Sequence, residues 1–345
     1  MDVFECAACG TELTAPVARV ALPVHTHYGA WEELHPPLME PATYAVEPLP
    51  TGPPWRLWED VGAEVAAQQG VFARVYRVSF GARNRIVIAP GDSRSMVLIP
   101  EKCEGYCRGV DGRDGPNLAC EGCGDPVATR MDDCGMWQMV WLEPESVVRR
   151  SAGPPSGPPP DWSDLERPEH RVPPVESDGS WSRRWEAAVG VALAHLVAVT
   201  DDRPVSLPAG SVSELLGHAV GQCLRIGKNG AWSLELGGPG IPLQHPRPDV
   251  LLVPRHPVTG APWRPPGDEG AVVPLDSGVW AYLAHPQETS PMPAAGVLPK
   301  GILRDDYPLP PRPWRLLTAH RYALTDTLAR LPAIRSPRLR RFRED

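Results

Sequence analysis

Apolar positions in the first 150 residues recur at short, β-like intervals. The runs 17–22, 43–46, 71–80, 85–89 and 96–99 are β-branched or alternating and bounded by Pro, Gly or Asp, so each predicts a strand. Run 71–80 keeps no strict face, which points to a bulge or a shifted boundary. Run 136–142 alternates poorly, yet Trp137, Met139 and Trp141 share one side of a strand. Residues 58–69 form the one helical pattern of this half, with Gly70 as its stop.

The period then lengthens. Trp181, Trp185, Ala188, Val189, Ala192, Leu193 and Leu196 fall on one helical face behind Ser180 as a cap. Ser211-Val-Ser-Glu214 has the capping-box form and opens a helix with Leu215, Leu216, Ala219, Val220 and Cys223 on its apolar stripe. Strands follow at 232–236, 250–253 and 271–275, then a short helix capped by Ser277 and a last helix over 316–331, stopped by Pro332. Between the halves, the stretch 151–174 is rich in Pro and Gly and poor in aliphatic residues, so it reads as an extended, semi-rigid spacer. With 44 Pro against 4 Phe, short elements and long connections fit better than a long-helix bundle.

Cysteine spacing carries the chemistry. Cys6-Ala-Ala-Cys9-Gly10 and Cys120-Glu-Gly-Cys123-Gly124 are two copies of one motif. The two-residue spacer lets both sulfurs face one ion, and the glycine can turn backbone amides toward them. These motifs resemble the knuckles of zinc-ribbon proteins. The resemblance implies one closed Zn²⁺ site shared by Cys6, Cys9, Cys120 and Cys123, with the intervening residues inserted between the ribbon's halves. Loop closure penalises such an insertion only logarithmically. A local alternative joins Cys103 and Cys107 to Cys120 and Cys123, leaving Cys6 and Cys9 to find Cys134 and His25 or His27. A third arrangement has two metals, with Cys103, Cys107 and Cys134 partly filling the second site. A redox role is disfavoured, since neither motif stands in a strand-to-helix context. Cys223 reads as a small core residue. The segment 109–117, rich in Asp and Gly, reads as turns rather than a calcium loop.

The expected fold is α+β: a β-rich, zinc-ribbon-containing domain over 1–150, a Pro-rich linker over 151–178, a smaller-element α+β domain over 179–334 and a basic tail over 335–345. The opening Met-Asp-Val-Phe-Glu lacks the basic, apolar pattern of a secretory signal, and no apolar run reaches membrane-spanning length. The expectation is therefore a cytoplasmic protein, in which Cys-x-x-Cys pairs are metal ligands rather than disulfides.

Charge sharpens the picture. Residues 1–150 hold 13 Lys+Arg against 21 Asp+Glu, while 151–345 hold 21 of each. The cysteine-rich half is thus the acidic half, which argues against nucleic acid as its partner. The tail Arg335-Ser-Pro-Arg338-Leu-Arg340-Arg341-Phe-Arg343 is the one basic segment suited to nucleic acid or to an acidic partner. No nucleophile elbow, phosphate-binding loop or zincin helix is present.

The stretches Phe4-Glu-Cys6 to Leu13-Thr and Asn117-Leu-Ala-Cys120 to Asp133-Cys134 resemble bacterial proteins of actinobacterial type that open on a Cys-x-x-Cys-Gly knuckle. That resemblance implies a metal-bound fold and no activity. The functional expectation is a zinc-binding module for protein interaction or regulation. The rivals are a metal-dependent hydrolase with an open site built from Cys103, Cys107, Cys134 and a histidine, and a nucleic-acid binder acting through the tail.

Overall fold

The computed structural model describes residues 1–24, 35–103, 110–133, 135–154, 160–227, 229–242, 245–267, 269–285 and 313–344. His25, His27, Cys107 and Cys134 lie outside the described residues. The chain is mixed α+β and divides into two compact units. The first is Met1–Pro160 with Pro257–Gly260, and the second is Asp161–His256 with Ala261–Glu344.

The described strands of the first unit are β1 (Asp2–Cys6), β2 (Ala18–Arg19), β3 (Thr43–Glu47), β4 (Trp55–Leu57), β5 (Arg77–Ser79), β6 (Arg85–Ile88), β7 (Met96–Leu98), β8 (Leu118–Cys120), β9 (Pro126–Met131), β10 (Met139–Leu142) and β11 (Val147–Ser151). Helix α1 (Trp58–Gln68) is interrupted at Gly62. Seven strands form one sheet in the order β2-β3-β6-β10-β9-β8-β7, antiparallel except for the β2–β3 pair. β1 and β11 pair antiparallel, Asp2 opposite Ser151 and Cys6 opposite Val147, and β4 pairs with β5.

This sheet is apolar on both faces. Tyr44, Ile86, Ile88, Val140 and Leu142 join Phe4, Leu13, Val17 and Val127 in one core, which also takes in Cys6 and Cys120. Ala45, Val87, Ala89, Met139 and Trp141 turn the other way, toward Leu38, Met39, Met136 and Trp137. Two-sided burial explains why run 136–142 alternates poorly: no position on it needs to be polar. Other runs shorten. Only Ala18–Arg19 of 17–22 and Arg77–Ser79 of 71–80 pair as strands, while Val71, Ala73 and Val75 are buried outside any ladder. Burial there follows side-chain contact, which needs no strand partner.

The second unit contains α2 (Arg183–Thr200), β12 (Val205–Ser206), α3 (Ser211–Cys223), β13 (Trp232–Leu236), β14 (Val250–Pro254), β15 (Ala271–Leu275), α4 (Ser277–Ala284), α5 (Arg321–Arg330) and α6 (Arg341–Glu344). Its four described strands are all parallel, in the order β12-β13-β14-β15. Parallel strands are usually covered on both faces, and every residue of β14 is buried. Helix α2 packs against β15, α3 and α5, and 11 of its 18 residues are buried. The single apolar face expected from its period is therefore too narrow a description.

Several caps differ from expectation. Ser182, not Ser180, precedes α2, and it makes no side-chain cap bond. Gly210 precedes α3, so the capping box does not form, and the Ser211 hydroxyl donates instead to the Leu283 carbonyl at 2.9 Å. Asp276 rather than Ser277 caps α4, accepting from the amides of Gly278 and Val279. A carboxylate one residue upstream outcompetes the hydroxyl. Cys223 is half-buried at the end of α3, outside its buried set.

Within the stretch read as a spacer, Trp162–Glu166 and Pro168–His170 are 3-10 turns, and Leu165 is buried. The basic tail is folded too. Leu339 is fully buried, Arg338 lies 3.6 Å from Asp201, and Arg341 pairs with Asp202 at 2.5 Å.

Candidate metal centre

β1 and β8 each run directly into a Cys-x-x-Cys-Gly turn, and the two turns are closed by matching bonds. The Cys6 amide donates to the Thr11 carbonyl at 2.8 Å and the Gly10 amide to the Cys6 carbonyl at 2.9 Å. In the second turn, the Cys120 amide donates to the Asp125 carbonyl and the Gly124 amide to the Cys120 carbonyl, both at 2.8 Å. Gly10 and Gly124 sit at φ 77 and 82, where a side chain would be strained. This geometry aims the amide two residues beyond each second cysteine at its sulfur: Thr11 toward Cys9, Asp125 toward Cys123.

A short segment aligns the two turns. The Ala15 amide donates to the Asp92 carbonyl and the Arg94 amide to the Leu13 carbonyl, both at 2.8 Å. The Glu121 amide donates to the Ser95 carbonyl at 2.9 Å. One stretch between β6 and β7 thus grips both hairpins.

The four sulfurs converge. Cys6, Cys9, Cys120 and Cys123 bring their Sγ atoms within 4.8 Å of one another. The Cys6–Cys123 and Cys9–Cys120 Sγ pairs are each 3.6 Å apart. A tetrahedral ion with metal–sulfur bonds of about 2.3 Å needs sulfurs about 3.8 Å apart. The cage therefore has the right size to hold a metal ion with small adjustments. Cys6 and Cys120 are buried in the core, whereas Cys9 and Cys123 are exposed.

The neighbours divide the thiols unequally. The Thr11 hydroxyl, 3.2 Å from the Cys9 sulfur, and the Thr11 amide lower the Cys9 pKa to about 6. At Cys123 the Asp125 amide pulls downward, but desolvation and the three adjacent thiols push the group up to about 12. The pattern is that of crowded sulfurs sharing protons, which a bound cation would displace.

Thr11, Asp125 and Gly122 were not singled out from the sequence. A Cβ on Gly122 would lie 2.5 Å from the Thr11 hydroxyl oxygen, so this position lets the two turns approach. The sequence signal for the first two was their matching place directly after Cys-Gly. Cys103 stands apart from the four-sulfur group: its thiol donates to the Ile99 carbonyl at 3.2 Å, and burial, then Glu101, raise its pKa. Cys107 and Cys134 fall outside the described residues. Among the described residues the sulfurs that converge are those of the knuckle pairing, because β1 delivers Cys6 to the same core as Cys120.

The oxygen-rich turns behave as turns. Asp111 binds Arg113 at 2.6 Å, and Asn117 exchanges bonds with the Arg130 backbone on β9. Asp132 faces Arg130 at 3.4 Å. His195 is held near pKa 4 by burial and Arg255, a state that stems from packing on α2. Among the described residues, no helix is long and apolar enough to cross a membrane. No protein-family model matches this chain, and no curated protein or solved structure matches it.

Proposed function

We propose that the four-cysteine cage holds Zn²⁺ as a closed structural site, and that the protein is a cytoplasmic module for protein interaction or regulation. The observation that carries the reading is the convergence of four sulfurs from two matched turns. Four thiolates favour a soft-tolerant, tetrahedral ion, and zinc suits such a set without redox chemistry of its own. Such a cage leaves no vacant coordination position for water. A structural role follows in preference to hydrolysis.

Partner recognition by protein is supported by what the first unit exposes. β7 is an edge strand of the seven-stranded sheet, and its Val97 and Leu98 are 47% and 46% exposed. Its Met96 stands opposite Cys120, so this edge adjoins the metal cage. An exposed apolar edge suits strand addition by an extended segment. Large aromatic rings add little to this surface: Trp141 is fully buried, as are Trp185 and Trp280 in the second unit. For nucleic acid the support is weaker, since Arg338 and Arg341 face Asp201 and Asp202 and Leu339 is buried.

Metal counting and cobalt substitution test the site. One ion per chain is expected, with an intense thiolate-to-cobalt absorption and tetrahedral visible bands. A chain that carries no metal, or a cobalt spectrum of a three-ligand site with water, refutes the closed cage.

A further inference from the structure

We propose that the cage is also a modification site, at which hydrogen peroxide converts the four cysteines into two disulfides that cross from one knuckle to the other. The inference rests on the zinc reading and concerns its regulation. The geometry sorts the sulfurs into two pairs. Exposed Cys9 lies 3.6 Å from buried Cys120, and exposed Cys123 lies 3.6 Å from buried Cys6. Each pair thus combines a sulfur that an oxidant meets from solvent with a buried one 3.6 Å away, within a group whose sulfurs all lie inside 4.8 Å.

The step balances within each pair. The exposed thiolate attacks a peroxide oxygen, breaking the O–O bond, forming a sulfenic acid and releasing hydroxide. The buried thiolate then attacks that sulfur, forming the S–S bond and expelling a second hydroxide. Two thiolates lose two electrons and one hydrogen peroxide gains them; a second equivalent serves the second pair. Reaching a disulfide bond of about 2.0 Å requires each pair to close by about 1.6 Å. Disulfide sulfurs are poor ligands for a divalent cation, so the ion leaves.

Crossing matters because of what it joins. The two bonds would link residues 111 and 117 apart in sequence, tying β1 to the β8–β9 hairpin after the metal has gone. Disulfides within each Cys-x-x-Cys would leave the hairpins unlinked. Among the described residues, Cys6, Cys9, Cys120 and Cys123 are all free thiols, so the reduced state is the starting point.

The experiment uses the full chain, reconstituted with zinc and titrated with hydrogen peroxide. A chromogenic chelator reports released ion, and non-reducing peptide mapping reports the bonds. Two equivalents are expected to release the bound zinc completely and to yield Cys9–Cys120 and Cys6–Cys123, with dithiothreitol and zinc restoring the starting state. Zinc retained under peroxide, bonds confined within each knuckle, or direct passage to sulfinic and sulfonic acids would each overturn the inference. A chain that takes up no zinc before oxidant is added overturns the metal reading instead, and this inference falls with it.

Discussion

The two units solve the same problem by different means. In the second, α2 buries 11 of its 18 residues between a parallel sheet and other helices, and the large rings of Trp185 and Trp280 are fully enclosed. In the first, many strands are two to five residues long, α1 is broken and contributes only Ala66 to the buried set, and the chain's first strand closes against its eleventh. Short strands gain little burial per closure, and a distant pairing must first overcome loop entropy. A metal held at the junction would supply free energy beyond what apolar burial there provides. The lesson is that the ligand set joins segments 111 and 117 residues apart in sequence, at residues 6–9 and 120–123.

Removing the metal should break this comparison most sharply. Zinc binding by small structural sites amounts to roughly 10–16 kcal/mol at neutral pH. Cys120→Ser, or a strong chelator, is expected to abolish zinc binding and to speed amide exchange in β1, β8 and β11 by orders of magnitude. Exchange in α2 and β14 should stay near the wild-type rate. Equal loss of protection in both units would show that the metal does not serve the first unit alone.

Trp280→Ala is the converse experiment. The ring lies under Gly238 and its indole N–H donates to the Gly237 carbonyl at 2.9 Å. Truncation should cost the second unit about 3–5 kcal/mol in denaturant unfolding and leave one zinc per chain.

Acid should act on the two units through different groups. His195 and His320 are both held near pKa 4, first by burial and then by Arg255 and Arg183 respectively, against 6.5 for an ordinary histidine. Their folded pKa values lie below the unfolded ones, so the unfolded chain takes up protons first. Stability of the second unit is then complete above about pH 6.5 and declines as pH falls toward 4. His320 adds a local cause, since its Nδ1 accepts the Ala323 amide at 3.4 Å and protonation removes that acceptor. Thermal melts of the second unit between pH 7.5 and 4.5 should show this slope, and His195→Gln should flatten it. In the first unit, acid sensitivity should track zinc release instead.

The smallest effect is expected at the tail. Arg338 is exposed and 3.6 Å from Asp201, so Arg338→Ala should cost less than about 1 kcal/mol in urea unfolding and even less at high salt.

Reading the chain alone recovers the repeated knuckle because its information is local: spacer, glycine and two sulfurs lie within five residues. It also recovers β6, β14 and α2, whose apolar runs are long enough to declare themselves. It misses β1, β8 and β9, since the first two end in cysteines and β9 begins at a proline beside the turn. β11 escapes as well, because four of its five residues are exposed and its pairing is set by β1. The Asp92–Ser95 clamp is invisible for a different reason. It works through main-chain carbonyls of Asp92 and Ser95 and the Arg94 amide, groups that every such residue possesses.

The pairing of Asp2 with Ser151 also orders events during synthesis. The ribosome makes Cys6 and Cys9 first, and at about 5–20 residues per second they wait roughly 6–23 s for Cys120 and Cys123. Until Cys123 is made the leading strand lacks its complete ligand set, and until β11 emerges it lacks its backbone partner as well. Nascent chains that end before Cys120 therefore expose the Cys6 and Cys9 thiols on an unpaired edge, which makes this interval the natural time for a chaperone to hold them.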